Sequence, residues 1–140
     1  MMATRKIAKV GVAVFVKHHD TAHYILTTKR KKGVSGGWSL PGGVILFGET
    51  VKDAVYRTVK EETGVDLMYT GKMTMGPLSY TYGNEHHIIL FYMARTRREY
   101  ALKKTVYKLK WFEKKEFNGL TLMNPLPEFL DEVRTSQELQ

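Results

Sequence analysis

Apolar residues in this chain gather into two near-continuous runs and one helical stripe. Val10–Val16 and Ile88–Ala94 are dominated by β-branched, aliphatic and aromatic side chains, the pattern of strands buried on both faces. Tyr24–Thr28 predicts another strand, and the polar stretch His18–Thr21 before it predicts a hairpin turn. Trp38-Ser39-Leu40 reads as a short strand stopped by Pro41-Gly42-Gly43. Strand-like segments follow at Lys72–Met75, Leu78–Tyr82 and Val106–Phe112.

The helical stripe runs from Val51 to about Thr63. Projected at ~100° per residue, Val51, Ala54, Val55 and Val59 share one side, with Lys52, Asp53, Tyr56 and Lys60 opposite. Thr50 is a fitting N-cap, Asp53 sits where a capping-box acid reaches back, and Gly64 suits a left-handed C-terminal residue. A shorter helix is predicted from about Leu126 to Val133, since Pro125 and Pro127 suit a helix start. Strands, one long helix, more strands and a terminal helix predict an α+β fold with a mixed sheet layered by helices.

One polar position breaks the stripe. Glu62 projects into the apolar side, with Thr58 close by and Glu61 on the margin. A carboxylate aimed at a core is costly unless it is paired, protonated or bound to metal. Two adjacent carboxylates at a helix C-terminus are also disfavoured by the helix dipole, by roughly 0.3–1 kcal/mol each. Arg57, four residues before Glu61, is the natural ionic neighbour. A solvated helix end and a site for a hard, oxygen-seeking cation both remain open at this point.

The 140 residues predict a single domain over 1–140, with about 1–8 and 135–140 as flexible ends. Subtracting 14 acidic from 22 basic residues leaves a net charge of +8, which favours an anionic partner without choosing among nucleotide, nucleic acid and acidic membrane. The absence of cysteine excludes disulfides, thiolate catalysis and cysteine-bound zinc. No apolar run approaches the ~20 residues of a membrane span, and the basic start lacks a signal-peptide cleavage site, so a cytoplasmic protein is expected. No aromatic–basic interleaving of an RNA-binding surface is visible, which sets nucleic acid behind a small nucleotide.

Gly43, five residues, Glu49, seven more, then Arg57-Thr58-Val59-Lys60-Glu61-Glu62-Thr63-Gly64-Val65 resembles the Nudix box, G-x5-E-x7-R-E-U-x-E-E-x-G-U, where U is a bulky aliphatic. Trp38–Gly43 before the box and Trp111-Phe112 with Glu116-Phe117 after it are also similar to that superfamily, the MutT-like hydrolases. The resemblance implies an α/β/α sandwich whose box forms a loop–helix–loop. It also implies hydrolysis, dependent on Mg²⁺ or alternatively Mn²⁺, of a nucleoside diphosphate linked to another group. Carried over by position, Glu61, Glu62 and the Gly42 carbonyl would be metal ligands, and Glu49 would support the metal shell. Arg57 would orient a carboxylate, and Glu62 is the first candidate for the base.

Thr58 departs from the box, which has glutamate there. Threonine offers no carboxylate base and is a poorer Mg²⁺ ligand. Three consequences compete: a base at Glu62 or outside the box, slow turnover, or a non-catalytic nucleotide-binding or interaction module. Outside the box, Glu85, His86, His87, Glu113 and Glu116 are candidate bases. Arg30, within Lys29–Lys32, joins His86 and His87 as a candidate for substrate binding. Within the superfamily the resemblance is nearest to enzymes that cleave nucleoside or deoxynucleoside triphosphates, oxidised ones included, to monophosphate and pyrophosphate. Nucleotide-sugar or ADP-ribose hydrolysis is the alternative, and the sequence leaves open whether the chain forms a homodimer, as many relatives do.

Overall fold

The computed structural model describes residues 6–28, 37–98, 100–102, 108–120 and 122, with backbone alone at 69–76 and 82. Its strands are β1 (Lys9–Lys17), β2 (His23–Thr27), β3 (Gly42–Val44), β4 (Leu67–Tyr82), β5 (Glu85–Thr96) and β6 (Leu109–Glu113). They form one sheet in the order β4-β5-β1-β2-β6, with β3 paired to β1 off this path. β1 and β5 run parallel from Lys9↔His87 to Lys17↔Arg95, and the remaining pairs are antiparallel. The sheet is therefore mixed, and the helix α1 (Val51–Thr63) packs on one face.

The continuous apolar character of β1 is explained by two cores. Val12, Val14 and Val16 point towards α1, where they meet Ala54, Val55 and Val59. Phe15 points the other way, joining Tyr24, Leu26, Phe91, Phe112 and Phe117. Phe117 belongs to a 3₁₀ turn, Lys114–Gly119, that follows β6.

Three expected elements differ in detail. The segments at 72–75 and 78–82 merge into β4, with register shifts between Leu67 and Leu78. β4 lies at the sheet edge, so Pro77, which lacks an N–H, need not supply a bond to a second neighbour. Trp38 and Ser39 make isolated bridges to Leu122 and Thr27 instead of a regular strand. The last strand is described as Leu109–Glu113, while 106–107 of its expected start and the expected helix at 126–133 lie outside the described residues. No helix among the described residues is long and apolar enough to cross a membrane.

β3 is short, and glycines on it and on β1 set how closely it lies to its neighbours. A Cβ on Gly42 would collide with the Val12 carbonyl oxygen. A Cβ on Gly11 would meet the Gly43 carbonyl oxygen at 3.0 Å. Gly42→Ala is therefore expected to cost about 1–3 kcal/mol by overpacking, read as a lower urea midpoint. Gly119→Ala is the control: no atom lies within 4 Å of its added methyl, and the change is expected to stay within about 0.5 kcal/mol.

Candidate active site

Between β3 and α1 the chain makes a turn at Leu46–Glu49. The Glu49 N–H donates to the Leu46 carbonyl at 3.0 Å, and Gly48 has φ 83°, as a type II turn requires at its third position. Thr50 then caps α1, its hydroxyl accepting from the Asp53 N–H at 3.0 Å. Gly64 ends the helix at φ 81° and donates its N–H to the Lys60 carbonyl. Local chemistry thus fixes both ends of the helix that carries the acidic residues.

Arg57 joins these pieces. Its Nε donates to Glu49 Oε2 at 2.6 Å and its Nη2 to Glu49 Oε1 at 3.0 Å. The same Nη2 donates to the Val44 carbonyl at 2.9 Å, and Nη1 donates to Glu61 Oε2 at 3.1 Å. Glu49 Oε1 also accepts from the Leu46 N–H. The Arg57 hydrogen bonds, then that of Leu46, hold the Glu49 carboxyl below the usual carboxylate range. Glu49 in turn raises the pKa of the guanidinium.

α1 runs back along β3. Arg57 bonds to Val44, and the Thr58 methyl lies 3.3 Å from where a Gly43 Cβ would stand. A further turn of the helix, ~5.4 Å, would carry Glu61 and Glu62 in the direction of Gly42. In the β1–β3 ladder the Val14 N–H donates to the Pro41 carbonyl and the Ile45 N–H to the Val10 carbonyl. Alternation then turns the Gly42 and Val44 carbonyls away from β1, to the edge that Arg57 grips. Glu62 is half-buried, with its Oε2 sealed from solvent.

Two adjacent carboxylates and a main-chain carbonyl are all-oxygen donors, a chemistry that would suit a hard divalent cation. Among the described residues, no three His, Cys, Asp or Glu side chains form a metal-holding group. Both oxygens of Glu49 are engaged by Arg57, which gives Glu49 a bracing position behind the other two carboxylates. The Thr58 hydroxyl donates to the Ala54 carbonyl at 2.7 Å, on its own helix.

The NUDIX domain family model matches residues 7–133. The chain belongs to the NUDIX domain family. Among its relatives, it is 41% identical over 64 residues to Nudix hydrolase 2 of Arabidopsis thaliana, covering 44% of this chain and 22% of that protein. It is 52% identical over 42 residues to the ADP-ribose pyrophosphatase of Methanocaldococcus jannaschii, covering 29% of this chain and 25% of that protein. The matched stretches thus span a quarter or less of both relatives' lengths. The MutT protein of Methanosarcina mazei Go1 shares the fold at a TM-score of 0.78 and 19% identity, over 96% of this chain and 99% of that one. The NUDIX domain of Shewanella oneidensis NrtR, solved with ADP ribose, does so at 0.74 and 18%, over 95% and 90%.

The NUDIX fold separates the other candidates. His87 is buried at the start of β5, its Nε2 2.9 Å from Glu85 Oε2 and its ring stacked on Tyr80. It has the parity of Ile89 and Phe91, which pack on the face away from α1. His86 pairs with Ser79 at 2.6 Å, and Glu113 and Glu116 form a reciprocal cap on the 3₁₀ turn. These contacts give structural work to residues that were candidate bases. Arg30 lies outside the described residues. Motif reading did not pick out the Val44 carbonyl, because a main-chain acceptor leaves no residue signature. It also passed over Phe47, wholly exposed at the tip of the Leu46–Glu49 turn.

The Glu49–Arg57 pair has a defined pH signature. The folded pKa of Glu49 is lower than its unfolded value of ~4.3, so its stabilisation is complete above that pH and lost as pH falls through the folded value. Glu49→Gln is expected to lower the urea midpoint most at pH 6–7. The gap from the unchanged protein should close on acidification towards pH 3, and a gap that widens there would contradict the assignment.

Proposed function

We propose that this chain is a divalent-metal-dependent Nudix hydrolase that cleaves a nucleoside diphosphate linked to another group. The observation that carries the reading is the Arg57 clamp. It fastens the Glu49 loop and the β3 edge to the helix end where Glu61 and Glu62 stand. A resting solvated helix end does not require a fork that grips two carboxylates and a carbonyl at once.

Glu61, Glu62 and the Gly42 carbonyl would hold the cation, which when bound offsets phosphate charge and makes water more acidic. Glu62 accepts a proton from the attacking water. The water oxygen bonds to phosphorus in line, the phosphoanhydride bond breaks, and the leaving phosphate takes the electron pair. Arg57 keeps Glu61 oriented, a task its planar fork performs better than a lysine. Thr58, in the place where the box has glutamate, takes no part in proton transfer because its hydroxyl faces Ala54.

Nucleoside or deoxynucleoside triphosphates, oxidised ones included, are the proposed substrates, giving monophosphate and pyrophosphate. Similarity to a protein named 8-oxo-dGDP phosphatase in Homo sapiens, 36% identical over 61 residues, supports an oxidised nucleotide, although the one in that name is a diphosphate and not a triphosphate. The stronger local identity to an ADP-ribose pyrophosphatase favours a second reading, a nucleoside diphosphate joined to a sugar. Such a hydrolase, acting on small nucleotides, would work in the cytoplasm.

A panel of both classes, incubated with Mg²⁺ or Mn²⁺ from pH 6 to 9.5, is expected to release phosphate, pyrophosphate or monophosphate. Glu62→Gln should lower kcat by about 10²–10⁴-fold. Chelation of the metal should abolish turnover. Tight nucleotide binding without product at any pH in that range would leave the non-catalytic reading in place.

A further inference from the structure

We propose that Thr58 is a plug and not a ligand, so that among the described residues the resting site offers a cation Glu61, Glu62 and the Gly42 carbonyl. The inference rests on the metal-dependent reading above and concerns the one box position that departs from it. Thr58 is 2% exposed, with its hydroxyl 2.7 Å from the Ala54 carbonyl. Its methyl lies 3.3 Å from where a Cβ on Gly43 would stand, so it occupies the space that glycine leaves open. Both branches of the side chain are therefore committed, one to its own helix and one to β3.

The position matters because of where it lies. Residue 58 precedes Glu62 by four, on the same helix face, and abuts the strand that carries the Gly42 carbonyl. A longer acidic side chain rooted there would extend along the α1–β3 seam towards the same point as Glu61 and Glu62. Threonine instead fills the seam with a methyl, which keeps α1 close to β3 without adding charge. Glu49 does not replace the missing group, since Arg57 and the Leu46 N–H hold both of its oxygens.

Charge gives the same count. Glu49, Glu61 and Glu62 contribute three negative charges and Arg57 one positive, leaving two, which one divalent ion balances. Mg²⁺ prefers six oxygens and commonly takes the remainder from water and substrate phosphates. Water and substrate phosphates would complete the shell here. Cation affinity at rest is accordingly set by Glu61 and Glu62, with the residue-58 hydroxyl outside the ligand set.

The test is titration of the full chain with Mn²⁺ alone, the free ion being read by electron paramagnetic resonance, so that no turnover enters the measurement. Thr58→Val keeps the shape and removes the hydroxyl, and its Mn²⁺ affinity is expected to match the unchanged protein within about twofold. Glu62→Gln is expected to weaken Mn²⁺ by at least about tenfold. Thr58→Glu, checked for folding by its thermal transition, is expected to tighten Mn²⁺ by about tenfold. A tenfold loss in Thr58→Val would show the hydroxyl to be a ligand and overturn the proposal, and it can be read even if Thr58→Glu does not fold. No gain in a folded Thr58→Glu would overturn it as well. A protein that binds Mn²⁺ in this pattern yet hydrolyses nothing would count against the proposed function and leave this inference standing.

Discussion

One guanidinium holds the site together. Arg57 sits at the middle of α1, yet its four hydrogen bonds reach backwards to the turn before the helix, sideways to the edge of β3 and forwards to Glu61. A loop, a strand edge and a helix would otherwise meet with independent freedom, and each has carboxylate or carbonyl oxygens that repel one another. A rigid, permanently charged fork satisfies them simultaneously, which a single ammonium on a flexible stem does not do with equal geometry. The short 2.6 Å contact to Glu49, with that side chain largely shielded from solvent, places the strongest part of the network at the loop. The loop is thereby tied to the helix.

The clamp can close only because the layers beneath it are thin. Gly42 lies against the backbone of Val12, Gly43 against Thr58, and Gly11 against the Gly43 carbonyl. Side chains at these points would push β3 off β1 or α1 off β3. The Gly42 carbonyl would then withdraw from the helix end where the two glutamates stand. Glycine is required here for approach, not for an unusual φ, whereas Gly48 and Gly64 are required for positive φ at the turn and at the helix end. Two physical uses of the same residue thus set the depth and the direction of the site.

The helix was legible in the sequence to the residue, because both of its ends are made by local chemistry that a sequence displays: a threonine cap and a left-handed glycine. The two apolar runs were legible as doubly covered strands for a similar reason, since β1 feeds two cores from opposite faces. The merger of two segments into β4 was not, because a proline reads as a break unless one knows that the strand lies at an edge. The site divides in the same way. Glu49, Arg57, Glu61 and Glu62 carry charge and spacing, so their association could be expected. The Val44 carbonyl, the inward turn of the Thr58 hydroxyl and the facing of His87 away from α1 are consequences of strand parity and rotamer, which only tertiary packing decides.

The net charge of +8 acquires meaning against this local geometry. At a distance, a basic chain attracts a polyphosphate, with a reach limited by screening to about 8 Å at physiological ionic strength. At the helix end the sign reverses. Glu61 and Glu62 stand at the C-terminus of α1, where the helix dipole is itself negative. A phosphate drawn in by the whole molecule would therefore be repelled at the point where chemistry is proposed to occur. Lys60, the basic residue of that last turn, is directed to Gly64 and Asp66 and does not cancel the pair. A mobile cation between carboxylate and phosphate resolves the conflict. On this reading the requirement for a divalent ion follows from the electrostatics of the helix terminus as much as from the box, and a position such as Thr58, which withholds one more negative charge, reduces how much cation the site must gather before substrate arrives.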